Sequence, residues 1–268
     1  MHHSKRILIL PNAWDVPSAR IFEEASFRAI ATTSGGVSVS LGYPDGERIS
    51  RQEMLEAVGR IAKSVLVPVS ADMEAGFSQD VEGIADTAKG LISSGAIGLN
   101  IEDVIRENGS RVLVDKKTQM KKIETIRRIG DSIGIHIVIN ARTDAFRFAP
   151  GDKLERLEEI VVRANAYKEA GADCIFPFGV SDAQSISTLV EKIETPINIR
   201  AGGVAPTIPE LEKLGVARAS LATGPICATL GLLKIIAYEV KEKGTYESLT
   251  SGAITHDELN SLAVPRKI

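Results

Sequence analysis

Three short stretches of this 268-residue chain set acids directly after apolar runs: Asp72-Met73-Glu74, Glu102-Asp103 and Asn140-Ala141-Arg142-Thr143-Asp144. The preceding runs read as β-strands, so the acids are expected at strand ends. Carboxylates arriving together from neighbouring strands repel one another unless a cation sits among them. Oxygen donors without a His or Cys select a hard ion, Mg2+ or Mn2+, over zinc. Alternation along a strand puts Asp72 and Glu74 on one side, and with Glu102 they form the candidate metal set. The competing reading makes these acids helix caps or ion-pair partners of Arg142. Arg142 carries a planar fork that can hold a substrate carboxylate through two parallel hydrogen bonds. A structural pair with Asp144 or Glu102 is its alternative.

Other groups could complete such a site. At Ser34-Gly35-Gly36 the missing side chains let backbone amides approach an oxyanion, and the serine hydroxyl adds a donor; a plain turn would look the same. Trp14, the single tryptophan, follows the first strand-like run and can wall a pocket or join the core. The stretch Leu41-Gly42-Tyr43-Pro44-Asp45-Gly46-Glu47 can close over a bound molecule and deliver Asp45, or be an inert surface turn.

The elements that must position these groups recur as β-branched apolar runs with helical stretches between them, the pattern of βα units and a parallel sheet. Strands are predicted at Ile7 to Leu10, Ala29 to Thr33, Leu66 to Ala71, Gly98 to Ile101, His136 to Asn140, Cys174 to Pro177, Ile197 to Ile199 and Ala219 to Ala222. Helices are predicted near Pro17 to Ala25, Arg51 to Ser64, Val81 to Ser93, Lys117 to Ser132, Lys153 to Ala170, Ala183 to Glu194, Ile208 to Leu214 and Pro225 to Lys243. Gly95-Ala96, Gly171-Ala172 and Gly215-Val216 punctuate three helix-to-strand junctions, where glycine can take the left-handed conformation that ends a helix. Eight such units close naturally into a (β/α)8 TIM-type barrel, with active-site residues at the C-terminal strand ends. The fold class is therefore α/β, one catalytic domain over residues 1–243 with a C-terminal helical extension over 244–268, including a short helix around His256 to Leu262 and Pro265 near its end. An open doubly wound sheet is the runner-up, but no Gly-x-Gly-x-x-Gly follows a strand and no P-loop pattern occurs.

Composition narrows the partners. A net charge of -3 provides no attraction for phosphate backbones, so no nucleic-acid partner is expected. No apolar run is long enough to span a membrane, so no membrane partner is expected either. Lys116-Lys117 and Lys121-Lys122 read as a solvated helix face. Two cysteines are too few for a disulfide framework, and Cys174 lies in an apolar run that reads as core. With no signal-peptide pattern over Met1 to Arg6, a reducing, cytoplasmic setting is expected. His2-His3 is too short for a tag or a metal site.

Five segments in this order, Leu10-Pro11-Asn12-Ala13-Trp14-Asp15, Thr33-Ser34-Gly35-Gly36-Val37, Ser70 to Phe77, Asn100-Ile101-Glu102-Asp103 and Ile139 to Ala145, resemble the isocitrate lyase and phosphoenolpyruvate mutase superfamily. The resemblance spans nearly the whole chain. It implies that Asp72 binds Mg2+ directly while Glu74 and Glu102 hold it through water, and that Ser34, Gly35 and Gly36 cradle the carboxylate and oxo oxygens of a small 2-oxo acid. It further implies that Arg142 clamps a carboxylate, that Asp45 sits on a gating loop, and that Arg142, Asp45 and Glu102 serve catalysis through an enolate-like intermediate. Family members commonly form homo-oligomers, so a tetramer or dimer is expected, with Ile226 to Val240 packing on a partner subunit or serving as the barrel's own last helix.

Two departures bear on the reaction. The isocitrate and methylisocitrate lyases carry a cysteine in a Lys-Lys-Cys-Gly-His loop after the fourth strand; here Val104 to Ser110 has no thiol, and offers Arg106 and Asn108. After strand six, Pro177-Phe178-Gly179 replaces an acid or histidine, which suits a smaller or less charged distal group. Asn198-Ile199-Arg200 resembles the lyase branch and makes Asn198 a substrate-contact candidate. The expected function is a Mg2+-dependent carbon-carbon lyase or decarboxylase acting on a small 2-oxo or 2-hydroxy acid, of oxaloacetate, malate or methylisocitrate type. The alternatives are phosphonopyruvate-type P–C bond chemistry, and a barrel that binds metal and oxo acid without catalysis.

Overall fold

The computed structural model describes residues 1–4 and 6–264; Pro265 lies outside the described residues. In chain order the elements are β1 (Leu8–Leu10), β2 (Asn12–Ala13), α1 (Val16–Glu24), β3 (Ile30–Thr32), α2 (Ser34–Ser40), α3 (Arg51–Ser64), β4 (Val69–Asp72), α4 (Val81–Ser94), β5 (Gly98–Glu102), β6 (Val104–Glu107), β7 (Ser110–Leu113) and α5 (Lys116–Ile133). They continue with β8 (Val138–Thr143), α6 (Ala145–Phe148), α7 (Lys153–Glu169), β9 (Cys174–Pro177), α8 (Ala183–Lys192), β10 (Asn198–Arg200), α9 (Ile208–Lys213), β11 (Arg218–Ser220), α10 (Gly224–Lys243), α11 (Glu247–Thr250) and α12 (His256–Ser261). This is an α/β fold with mostly parallel sheets.

Each of the eight predicted apolar runs contains or overlaps a strand, with the first continued past Pro11 as β2. Proline lacks the N–H that a continuous ladder needs, which accounts for the break. The strands β2-β3-β4-β5-β8-β9 form one parallel sheet, β1-β11-β10 a second, and β6 and β7 an antiparallel hairpin. Between the two parallel sheets, Ile175 in β9 bridges Ile197, and its N–H donates to the Pro196 carbonyl at 2.9 Å.

Local chemistry explains where the helices begin and end. Asp15, Ser50, Asp80, Asp115, Asp152 and Asp182 each accept a backbone N–H of the helix that follows, satisfying donors that have no intrahelical partner. Gly95, Gly171 and Gly215 have φ of 92°, 105° and 85°, the left-handed turn expected at those junctions. The core between strands and helices is aliphatic, with Ile30, Leu99, Ile101, Ile139, Ile175 and Ile199 among its buried members. Cys174 belongs there, and burial pushes its thiol up to about 12.

The basic run on α5 corrects one expectation. Lys122 is 2% exposed and donates its ammonium to the Ala75 carbonyl at 2.9 Å, so this lysine fastens the helix beneath the β4 end instead of facing solvent. Burial lowers its pKa, while Glu47, Glu102 and Asp103 oppose that shift. Among the described residues no helix is long and apolar enough to cross a membrane.

Candidate active site

Register alone brings the acids together. Asp72 ends β4 opposite Asn100 in β5, and Glu102 ends β5 opposite Arg142 in β8. Beyond β4 the chain turns through Glu74 at a φ of 49°, and the Glu74 carbonyl accepts the Glu102 N–H at 2.8 Å. A non-glycine residue in this left-handed region is strained and persists where its surroundings over-determine it.

Arg142 is the hub. Its Nε and Nη2 donate to the two oxygens of Asp144 at 2.6 and 3.1 Å, and its Nη1 lies 2.8 Å from Glu102 Oε2. The guanidinium carbon stands 3.8 Å from the centroid of Phe178, a stacked arrangement open to arginine but not to lysine. The structural ion pair and the carboxylate fork, set against each other in the sequence reading, thus involve one group: Asp144 orients a guanidinium that is already poised at the rim. The acids around Arg142 raise its pKa against the opposing effect of burial.

Burial and like charge act on the carboxylates. Glu74 is pushed up to about 9, first by burial and then by Asp72, Asp45, Glu102 and Glu47. Glu102 is pushed up to about 8 by burial, with Arg142 opposing the shift. Glu74 Oε2 accepts the Glu47 N–H at 2.7 Å, while Glu74 Oε1 is buried without a partner. Asp72 Oδ2 accepts both the N–H and the hydroxyl of Ser34, at 3.0 and 2.7 Å. As they stand, no three His, Cys, Asp or Glu side chains among the described residues are gathered closely enough for a metal shell.

The fit to a hard divalent cation is nonetheless good. The donors are all oxygen, one carboxylate oxygen is orphaned in a buried position, and Glu74 and Glu102 are pushed up first by burial, with nearby acids adding a repulsion that a cation would relieve. A cavity of about 250 Å³ opens beside them, lined by Glu47, Glu74, Glu102, Arg106 and Arg111 among others.

Ser34-Gly35-Gly36 is not a loop but the first turn of α2, directed at Asp72. Glycine is required at position 36: a Cβ there would stand 2.6 Å from Thr33 Cγ2 and 2.9 Å from Trp14 Cβ. Trp14 is thus half-buried against the turn, packed on the core as well as beside the site. The Asp45 loop already lies over this turn, since a Cβ on Gly35 would be 3.3 Å from the Asp45 carboxyl, and Arg111 Nη2 is 3.8 Å from Asp45 Oδ2. Asn198 begins β10, is wholly buried and donates to Ser220 Oγ at 3.2 Å; no hydrogen bond joins it to the acid cluster.

Several neighbours escaped the sequence reading. Glu47 accepts the Phe77 N–H at 2.7 Å and so ties the loop to the β4 end; a lone acid in a polar loop gives no sign of this. Phe178, read as an apolar end, supports Arg142. The Val104 to Ser110 loop is the antiparallel β6–β7 hairpin, turning at Asn108-Gly109 with φ of 49° and 82°; Asn-Gly between strand-like runs is a hairpin signal the sequence did contain. Asp103, by contrast, is structural: wholly buried, it accepts from Tyr167 at 2.7 Å, Arg163 at 3.1 Å and the Asp144 N–H at 2.9 Å.

Comparison with known proteins agrees with this geometry. The chain is 35% identical over 232 residues to an uncharacterized protein of Mycobacterium tuberculosis, covering 86% of this chain and 83% of the relative. It is 30% identical over 252 residues to 2-methylisocitrate lyase of Escherichia coli, covering 90% and 82%. A solved phosphonopyruvate hydrolase in complex with oxalate and Mg2+ shares the fold at a TM-score of 0.84 and 22% identity, covering 96% of this chain and 90% of that one. The sequence profile described as phosphoenolpyruvate phosphomutase matches residues 1–241, and the chain belongs to that family, within the superfamily that includes the isocitrate and methylisocitrate lyases.

Proposed function

We propose that this protein is a Mg2+-dependent enzyme that breaks a carbon-carbon bond beside the oxo- or hydroxyl-bearing carbon of a small carboxylic acid. The observation that carries the reading is Arg142, stacked on Phe178 and braced by buried Asp144, at the same rim as Asp72, Glu74 and Glu102. A relative is named 2,3-dimethylmalate lyase, 28% identical over 276 residues, and the E. coli relative is also a lyase. The oxalate and Mg2+ named with the phosphonopyruvate hydrolase structure support the same ion and a 2-oxo acid here.

Asp72, Glu74 and Glu102 would hold the ion, which supplies positive charge where an oxo oxygen gathers electrons as the bond breaks. The chain's own groups do the rest. Arg142 is oriented before substrate arrives, because Asp144 holds two of its nitrogens; the remaining Nη1, shared with Glu102, is the one able to exchange its partner for a substrate carboxylate. Ser34 fixes the carboxylate of Asp72 through two donors. The loop bearing Asp45 and Glu47, tied to Phe77 and Glu74, covers the site and excludes water.

The strand order supports closure of both parallel sheets into one eight-stranded ring: β9 touches β10 through Ile175 and Ile197, and β1 runs on into β2. The exposed Leu232, Leu233, Ile235 and Tyr238 on α10 support a homo-oligomer in which this helix and the segment after Gly244 pack on a second copy.

Release of pyruvate or glyoxylate from a panel of 2-oxo and 2-hydroxy acids, with Mg2+ and with EDTA, tests the assignment. Metal-dependent turnover of one panel member is expected; none from any member overturns it. P–C bond chemistry is the second reading, favoured by Arg106 and Arg111 lining the cavity where a thiol-bearing loop would stand in the lyases. 31P NMR of phosphonopyruvate incubated with the enzyme separates the two.

A further inference from the structure

Near the opposite ends of the strands lies a charge that has no ion pair among the described residues. Arg218 opens β11, in register with Leu8 of β1 and Asn198 of β10, and is 1% exposed. Its recorded hydrogen bond runs from Nη2 to Asn100 Oδ1 at 3.4 Å, and Nε has no partner. Burial lowers its pKa, and the groups that oppose this are the Cys174 thiol and then Asp72, at the far end of β4. An unpaired buried cation is costly, and a fold that keeps one gains from an anion brought to it.

A cavity of about 260 Å³ leads to this guanidinium between the N-terminal ends of the strands, lined by Arg218, Ser70 and His2 and otherwise by apolar groups such as Leu10, Val69 and Val138. Three of the side chains that line it each bear a polar atom buried without a hydrogen-bond partner: Arg218 Nε, Ser70 Oγ and His2 Nε2. Glycine at position 98 keeps the approach clear, since a Cβ there would stand 3.3 Å from Ser70 Oγ and 3.0 Å from the Val138 carbonyl. The cavity is separate from the one beside the acid cluster: the two share no lining residue, and Ser70 and Gly98 begin the paired register that ends at Asp72 and Asn100.

We propose that this cavity binds a short aliphatic monocarboxylate, its head against Arg218 and Ser70 and its chain along the apolar wall. One guanidinium matches one carboxylate. A dianion would leave a second charge against apolar groups, and a halide would leave most of the wall uncovered. The assignment stands independently of the reaction at the other end of the strands.

The test is thermal unfolding of the full chain with formate, acetate, propionate and butyrate at fixed ionic strength, in EDTA, with sodium bromide as the halide arm. The expected result is saturable stabilisation that grows from formate to butyrate and exceeds that of bromide. In Arg218→Met the butyrate midpoint should rise about tenfold or more. Ala29→Leu, which keeps the cation and narrows the cavity, should weaken butyrate more than formate, and serves also if Arg218→Met does not fold. No saturable effect, no dependence on chain length, a bromide effect equal to that of butyrate, or variants that respond as the wild type does would each overturn the proposal.

Discussion

Binding of Mg2+ should expel protons, and the structure sets how many. Glu74 sits at about 9 and Glu102 at about 8, so both are largely neutral at pH 7. A carboxylate that holds a cation must be ionised, so each ion bound should release about two protons at pH 7 and about half a proton at pH 9. The apparent affinity should accordingly rise by about a hundredfold per pH unit around neutrality and level off above pH 9. Calorimetric titration of MgCl2 into metal-free protein, in two buffers of different ionisation enthalpy, reads the proton count directly. Stability carries the same signature. Both groups have folded pKa values above the ordinary 4.5 of a glutamate, so their contribution is fully present below that value. It is lost as pH rises from about 4.5 to the folded values of about 8 and 9, by about 1.4 kcal/mol per unit and per group within that window, and levels off above it. Saturating Mg2+ should abolish this decline. Release of less than about half a proton at pH 7, with Mg2+ bound, would refute the idea that burial and mutual repulsion prepare these acids for a cation.

Three substitutions probe other parts of the argument. Arg142→Lys keeps the charge but loses the fork shared by Asp144 and Glu102 and the stacking on Phe178; kcat/KM on the best panel substrate should drop about a hundredfold or more with folding retained, and an unchanged value would remove Arg142 from the site. Asp103→Asn leaves Arg163 facing a neutral partner in a buried network; urea unfolding should show a loss of about 3 kcal/mol, whereas a loss within the scatter of surface substitutions would deny Asp103 its structural role. Gly36→Ala forces a methyl group against Thr33 and Trp14; it should cost about 1–3 kcal/mol of stability and raise KM, and wild-type behaviour in both would show that the turn yields freely.

The alternation of apolar runs with amphipathic stretches was enough to find eight of the eleven strands among the described residues and the longer helices between them. Both periodicities are properties of neighbouring residues, and the Asp and Ser caps and the left-handed glycines act over a single turn. The Asn108-Gly109 hairpin carries its signal on the same terms, in a dipeptide between two strand-like runs. Helix α2 was not legible: Ser34-Gly35-Gly36 has poor helical propensity, and its first turn is held by donors that reach Asp72, 38 residues later.

The order of acidic segments in the chain determined which strands would bring charge to one end of the sheet, and the absence of His and Cys from those segments determined that any ion there would be held by oxygen. Only the tertiary structure decided how those charges are divided. It assigned Asp103 to Arg163 and Tyr167, and Asp144 to Arg142. It left one oxygen of Glu74 without a hydrogen-bond partner, buried Lys122 under the β4 end and set Arg218 in the interior with no ion pair among the described residues. The physical reason is range. Strand pattern and turn chemistry are settled within a few residues, whereas the groups that Asp103, Lys122 and Arg218 meet lie 47 to 118 positions away in the chain and come together only when the strands align.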